Sequence, residues 1–335
     1  MKISIYTLLF SFSIGVIQAQ HSFSVAEDVL WSSPKGFDLT MDIYTPQTGK
    51  ENYPVIVMYH GGGWLINNNS IMDQSAQYLA EHGEYVVCNV NYRLLGDLRN
   101  TTTLNEIIED AFGALLWIKE HVEQYQGNPK KITVTGDSAG GHLAIAVATM
   151  GKNLNSTRFT KEPFGFLPTW MPEGKSAESL AQEDALEVQA AIISYGAFDL
   201  LGAAQGGFEK PENFFWTMGG ATPRGILGKA INATEHENMY KAISPLYNIP
   251  SSPMPPMLFT VGSEDQTTPP ESIERYLVAY KDAGHTNYEY WVHEGRPHAF
   301  LDSGSNEFLG IEFSKDAIPA LNKMINYLNE VFYHE

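Results

Sequence analysis

The chain has 335 residues, with 39 acidic side chains against 21 basic ones and a single cysteine. A formal charge of −18 argues against nucleic acid or an anionic membrane surface as partner. One cysteine, Cys88, excludes an intrachain disulfide, so stability must come from the core.

From the N-terminus, Lys2 and the mostly apolar run 3–17, closed by a small residue at Ala19, read as an export signal covering residues 1–19. The run is shorter than the roughly 20 residues of a membrane span, so no membrane anchor is expected. A periplasmic or extracellular location follows as the expectation. Apolar, β-branched runs then fall at 39–44, 55–59, 85–91, 131–135, 188–195, 257–261 and 288–292. Helical patterns fall at 72–82, 104–125, 140–150, 272–284 and 314–332. Several strands are continuously apolar rather than alternating, as strands covered on both faces are. The alternation predicts an α/β fold with a mainly parallel central sheet and helices on both faces. One domain over 20–335 is expected, interrupted by two long segments at about 151–187 and 197–255. Both hold aromatics, Phe159, Phe164, Phe166 and Trp170 in the first and Phe208, Phe214, Phe215 and Trp216 among those in the second, and packing against the body and a cap-like insertion over the site are compatible explanations of them.

Four polar stretches follow strands, at the edge where open parallel sheets bind ligands. "HGGGW" (60–64) follows "PVIVMY", "GDSAGG" (136–141) follows "KITVT", "GSEDQ" (262–266) follows "PMLFTV", and "PHAF" (297–300) follows the last strand. Gly-x-Ser-x-Gly turns a strand sharply into a helix and holds the serine hydroxyl above the sheet. Such a hydroxyl needs a base within hydrogen-bond reach, and histidine has the fitting pKa. A carboxylate then fixes the imidazole tautomer. Ser138, Asp265 and His298 are the candidates, in the chain order of α/β-hydrolase triads. An oxyanion needs backbone N–H groups already aimed at it. Gly62, Gly63 and Ala139 are the candidate donors, since consecutive glycines let backbone approach a ligand. His60, His142, His285 and His293 are read as structural. Asp199, after the strand ending at Tyr195, is the rival acid. No cluster has metal-ligand spacing and no phosphate loop follows a strand, so neither cofactor nor metal is expected.

These stretches, with "NYR" and "SPLY", resemble the hormone-sensitive-lipase-like esterases of the α/β-hydrolase superfamily. "LTMDIYTP" and the tryptophan of "HGGGW" are closer to the BD-FAE branch, which includes bacterial feruloyl and acetyl esterases. The resemblance runs from about Phe37 to the C-terminus. It implies a Ser138–Asp265–His298 triad, an oxyanion hole from the "HGGG" loop, and a structural role for Tyr92 and Arg93. The chain departs from it after "HGGGW", where Asn67, Asn68 and Asn69 replace an early return to glycine. A solvated loop is the favoured account of these amides, ahead of a rim that binds a sugar. The expected activity is an exported carboxylesterase for short-acyl or aromatic-acyl esters, with small-molecule or polysaccharide substrates. A serine amide hydrolase is one rival. A catalytically silent binding protein on the same scaffold is another, which an intact Ser, Asp, His and glycine loop disfavours.

Overall fold

The computed structural model describes residues 20–333. The export-signal expectation therefore lies outside the described residues. Eight strands form the central sheet: β1 Phe23–Ser32, β2 Leu39–Pro46, β3 Tyr53–Tyr59, β4 Val86–Val90, β5 Gly127–Asp137, β6 Ala190–Ser194, β7 Met257–Gly262 and β8 Tyr288–His293. Their order is β1-β2-β4-β3-β5-β6-β7-β8. β1 and β2 pair antiparallel, β2 meets β4 antiparallel, and every pairing from β4 to β8 is parallel.

All residues of β3, β4, β6 and β7 are buried, which is why they read as mainly apolar runs without alternation. β1 has no such signature. Its sequence is "FSVAEDVLWS", with acids in the middle. The register shifts between Ala26 and Val29, and Asp28 sits at φ 52°. A bulge on a half-exposed edge strand destroys the period-two pattern that would have revealed it.

Two pairs of helices and the Pro270–Asp282 helix, which packs on β7, cover the sheet. Asp73–His82 packs on Phe313–Phe332, with the Tyr78 hydroxyl donating to Asn322 at 2.8 Å. Leu104–His121 packs on Ala139–Met150. The Leu104–His121 helix opens with a capping box, in which Thr103 and Glu106 satisfy each other's backbone N–H. Cys88 is buried in β4. Among the described residues no helix is long and apolar enough to cross a membrane.

The two irregular segments have different neighbours. The first lies along the Leu104–His121 helix: Phe166 meets Phe112 edge-on at 5.3 Å, and Thr169 N–H donates to the Glu109 carbonyl. Lys119 donates from that helix to the carbonyls of Ala185 and Glu187. The second lies over the glycine loop. Phe208 meets Trp64 edge-on at 5.6 Å, and a Cβ on Gly63 would sit 2.9 Å from the Phe215 ring.

Candidate active site

Ser138 stands between β5 and the Ala139–Met150 helix at φ 51°, ψ −114°. That conformation is strained for a residue with a Cβ and persists only where the surroundings enforce it. Here they do. A Cβ on Gly140 would lie 1.9 Å from the Tyr59 carbonyl oxygen, and one on Gly136 would lie 2.3 Å from the Gly140 oxygen. The glycines of "GDSAGG" thus let the turn fold into the end of β3. Ser138 N–H donates to the Ser194 carbonyl at 3.0 Å, which locks the turn to β6.

His298 bridges two residues that are remote from it in sequence. Ser138 Oγ donates to Nε2 at 2.9 Å, and Nδ1 donates to Asp265 Oδ2 at 2.7 Å. The Asp265 carboxylate is buried, and its Oδ1 accepts the N–H groups of Thr267 (2.8 Å) and Thr268 (2.9 Å). It therefore keeps a fixed orientation in a dry place. This line can take a proton from the serine hydroxyl and hold the resulting imidazolium against a carboxylate.

The glycine loop lies beside the turn. Gly62 and Gly63 have φ 124° and 59°, a region that costs glycine little. Leu65 and Ile66 N–H both return to the Gly62 carbonyl at 3.0 Å, which closes the loop. No backbone carbonyl among the described residues accepts from the N–H of Gly62, Gly63 or Ala139. Ala139 is the first residue of its helix, where N–H groups are without intrahelical partners.

The other histidines are held away from this line. His60 is buried, stacked on Tyr92 at 4.3 Å, and its Nδ1 contacts the Gly61 carbonyl. His142 bonds the Ile243 carbonyl and meets Trp64 edge-on. Burial pushes both imidazoles down to about 4, so they are neutral at physiological pH. His285 and His293 bond the Pro250 and Asp316 carbonyls. Asp199 accepts Gly202 N–H and pairs with Arg275 at 3.0 Å, engagements that do not involve His298. Of the three asparagines, Asn69 is buried and bonded to Asp42, while Asn68 caps the short turn Asn69–Met72. Asn67 is exposed and reaches the Gly61 carbonyl at 3.4 Å. Two of the three amides are thus built into the loop.

Three residues of the site had no distinct signal in the sequence. Asp137, the variable position of the elbow, is buried, and its carboxyl is pushed up to about 6 by burial, with the His298 charge pulling the other way. Tyr195 meets His298 edge-on at 4.8 Å. The Thr268 hydroxyl lies 3.3 Å from His298 Nδ1. Asp137 is the unspecified position of the Gly-x-Ser-x-Gly pattern, and Tyr195 and Thr268 sit in runs that read as ordinary strand end and loop.

Comparison with known proteins agrees with this architecture. The chain is 31% identical over 135 residues to carboxylesterase NlhH of Mycobacterium tuberculosis, a match covering 40% of each protein. It is 26% identical over 272 residues to esterase LipQ of the same organism, covering 78% of this chain and 56% of that protein. The matched segment thus spans less than two thirds of these relatives. Thermogutta terrifontis esterase 2 superposes with a TM-score of 0.64 at 22% identity, over 93% of this chain and 95% of the other, which shows the α/β-hydrolase fold. The BD-FAE family model matches residues 41–276, more than half of the sequence, and the chain belongs to that family.

Proposed function

We propose that the protein is an exported serine carboxylesterase acting on short-acyl or aromatic-acyl esters, acetyl or feruloyl groups on polysaccharides among them. The observation that carries this reading is the hydrogen-bonded line from Ser138 Oγ through His298 to Asp265, set beside free backbone donors. In this reading Ser138 Oγ attacks the ester carbonyl while Nε2 of His298 takes its proton. The N–H groups of Gly62, Gly63 and Ala139 receive the oxyanion, each donor contributing on the order of 3 kcal/mol to the transition state. His298 then protonates the departing alcohol, and water repeats the sequence to free the acid. Metal and cofactor have no part in it. The esterase names of the relatives support the reaction class. Thermogutta terrifontis esterase 2 is described with propionate and with butyrate bound, which supports a short acyl group here. The leader pattern of residues 1–19 supports export.

A series of aryl esters from acetyl to octanoyl, run beside acetylated and feruloylated oligosaccharides and with Ser138→Ala as control, tests the reading. Each methylene buried against the aromatic segment is worth about 0.8 kcal/mol until the pocket is full. The expected result is the highest kcat/KM at acetyl to butyryl, a steep fall by octanoyl, and no hydrolysis by folded Ser138→Ala above the residual level of a triad without its nucleophile. Near wild-type turnover by Ser138→Ala would overturn the serine mechanism. A maximum at long acyl chains would overturn the substrate class.

A further inference from the structure

Tyr195 follows β6 with its ring fully buried and its backbone at φ 37°. A bulky residue in that region is strained and persists only where several contacts over-determine it. Its ring packs edge-on against His298, and its hydroxyl accepts Leu301 N–H at 3.2 Å, three residues beyond that histidine. Its carbonyl accepts the Thr268 hydroxyl at 2.7 Å. The strained turn therefore holds the loop that carries His298 and aims a carbonyl at Thr268.

Thr268 in turn touches both partners of the histidine–carboxylate pair. Its N–H donates to Asp265 Oδ1 at 2.9 Å, and its Oγ1 lies 3.2 Å from Asp265 Oδ2 and 3.3 Å from His298 Nδ1. A hydroxyl has one proton and two lone pairs. The shortest contact, to the Tyr195 carbonyl, takes the proton. A lone pair is then turned toward the N–H of His298 Nδ1, whose principal acceptor is Asp265.

We propose that Thr268 is a positioning residue: its hydroxyl, pinned by the Tyr195 carbonyl, orients the His298–Asp265 pair so that Nε2 faces Ser138. The inference rests on the reading of Ser138, His298 and Asp265 as a triad. It goes beyond that reading in assigning the orientation of the pair to a hydroxyl outside it. Valine has the shape of threonine and cannot make these contacts; serine can. A threonine that served only to start the Pro270–Asp282 helix would affect thermal stability, and neither kcat nor the histidine proton.

The test compares Thr268→Val and Thr268→Ser in the full chain. Hydrolysis of an aryl acetate, thermal unfolding, and the low-field proton resonance of the Nδ1–H···Oδ2 bond are measured for each. Loss of one such hydrogen bond predicts about a tenfold lower kcat with little change in KM for Thr268→Val, and recovery to within about twofold of wild type for Thr268→Ser. The low-field resonance should shift or broaden in Thr268→Val alone. Wild-type kcat and an unmoved resonance in Thr268→Val would overturn the proposal. So would Thr268→Ser losing as much as Thr268→Val. Thr268→Ala replaces the valine variant if the latter does not fold. An inactive wild-type protein would overturn the ester reading instead, and the resonance comparison would still decide the role of Thr268.

Discussion

At the scale of single residues, two carboxylates compete for the role beside His298, and their surroundings separate them. Asp265 Oδ2 is 2.7 Å from His298 Nδ1, while its other oxygen holds two backbone N–H groups. Asp199 is engaged by Gly202 and Arg275. Asp265→Asn should therefore favour the wrong imidazole tautomer and lower kcat by about 10⁴. Asp199→Asn should leave kcat near wild type, since an exposed ion pair such as that with Arg275 contributes little. Steady-state kinetics of the two variants on one aryl ester checks this, and a reversed order would move the acid to the β6 side of the site. Motif order and the position of each residue after a strand were enough to single out Ser138, Asp265 and His298 as candidates, and the fold brings the three together. Order and position were not enough to name Tyr195 or Thr268. A positive φ at a buried tyrosine arises from the packing of three segments, and no local pattern announces it.

At the scale of elements, the Leu104–His121 helix carries an unusual load. It buries Glu106, Glu109 and Asp110. Asp110 takes the Arg93 guanidinium at 2.7 Å, which gives the "NYR" motif its structural use. Glu109 is less well served. One oxygen accepts Leu167 N–H at 3.1 Å, and the other lies 3.4 Å from Arg158, whose side chain is 40% exposed. Burial wins over that screened charge and pushes the Glu109 carboxyl from its ordinary 4.5 up to about 8. The folded state therefore holds this proton more tightly than the unfolded chain. The stabilising contribution is complete below pH 4.5 and is lost as pH rises through about 8. Glu109→Gln keeps an acceptor for Leu167 and removes the titration. Relative to wild type, the variant should gain stability steadily from about pH 5 to about pH 8.5, read as the difference in unfolding midpoints. A difference independent of pH would show that Glu109 stays ionised in the folded protein. This helix was legible from its apolar spacing, and its capping box sits where the spacing begins. The acids on it were not legible as buried, because their partners come from segments 58 residues or more away in two of the contacts.

At the scale of the whole molecule, the parallel sheet is the part that sequence revealed best. Strands buried on both faces must be mainly apolar, and β3, β4, β6 and β7 are, with only Asn89, Ser194 and Thr260 as buried polar side chains in the last three. The edge strand β1 was hidden by its bulge. Both irregular segments carry aromatics, yet only the second lies over the glycine loop, because position in the chain and not aromatic content decides what a segment can reach. The sheet's main work is to gather. Ser138 and His298 are separated by 160 residues and Asp265 and His298 by 33, and they meet only because β5, β7 and β8 end on one edge. The reactivity of Ser138 should therefore belong to the folded molecule as a whole. The most direct measurement is treatment with paraoxon, an organophosphate that reacts with activated serines, followed by intact mass and peptide mapping. The expected result is one diethylphosphoryl group per chain, located on Ser138, absent after unfolding in denaturant and absent in His298→Ala on the same timescale. A folded protein left unmodified, or one labelled elsewhere than Ser138, would contradict it.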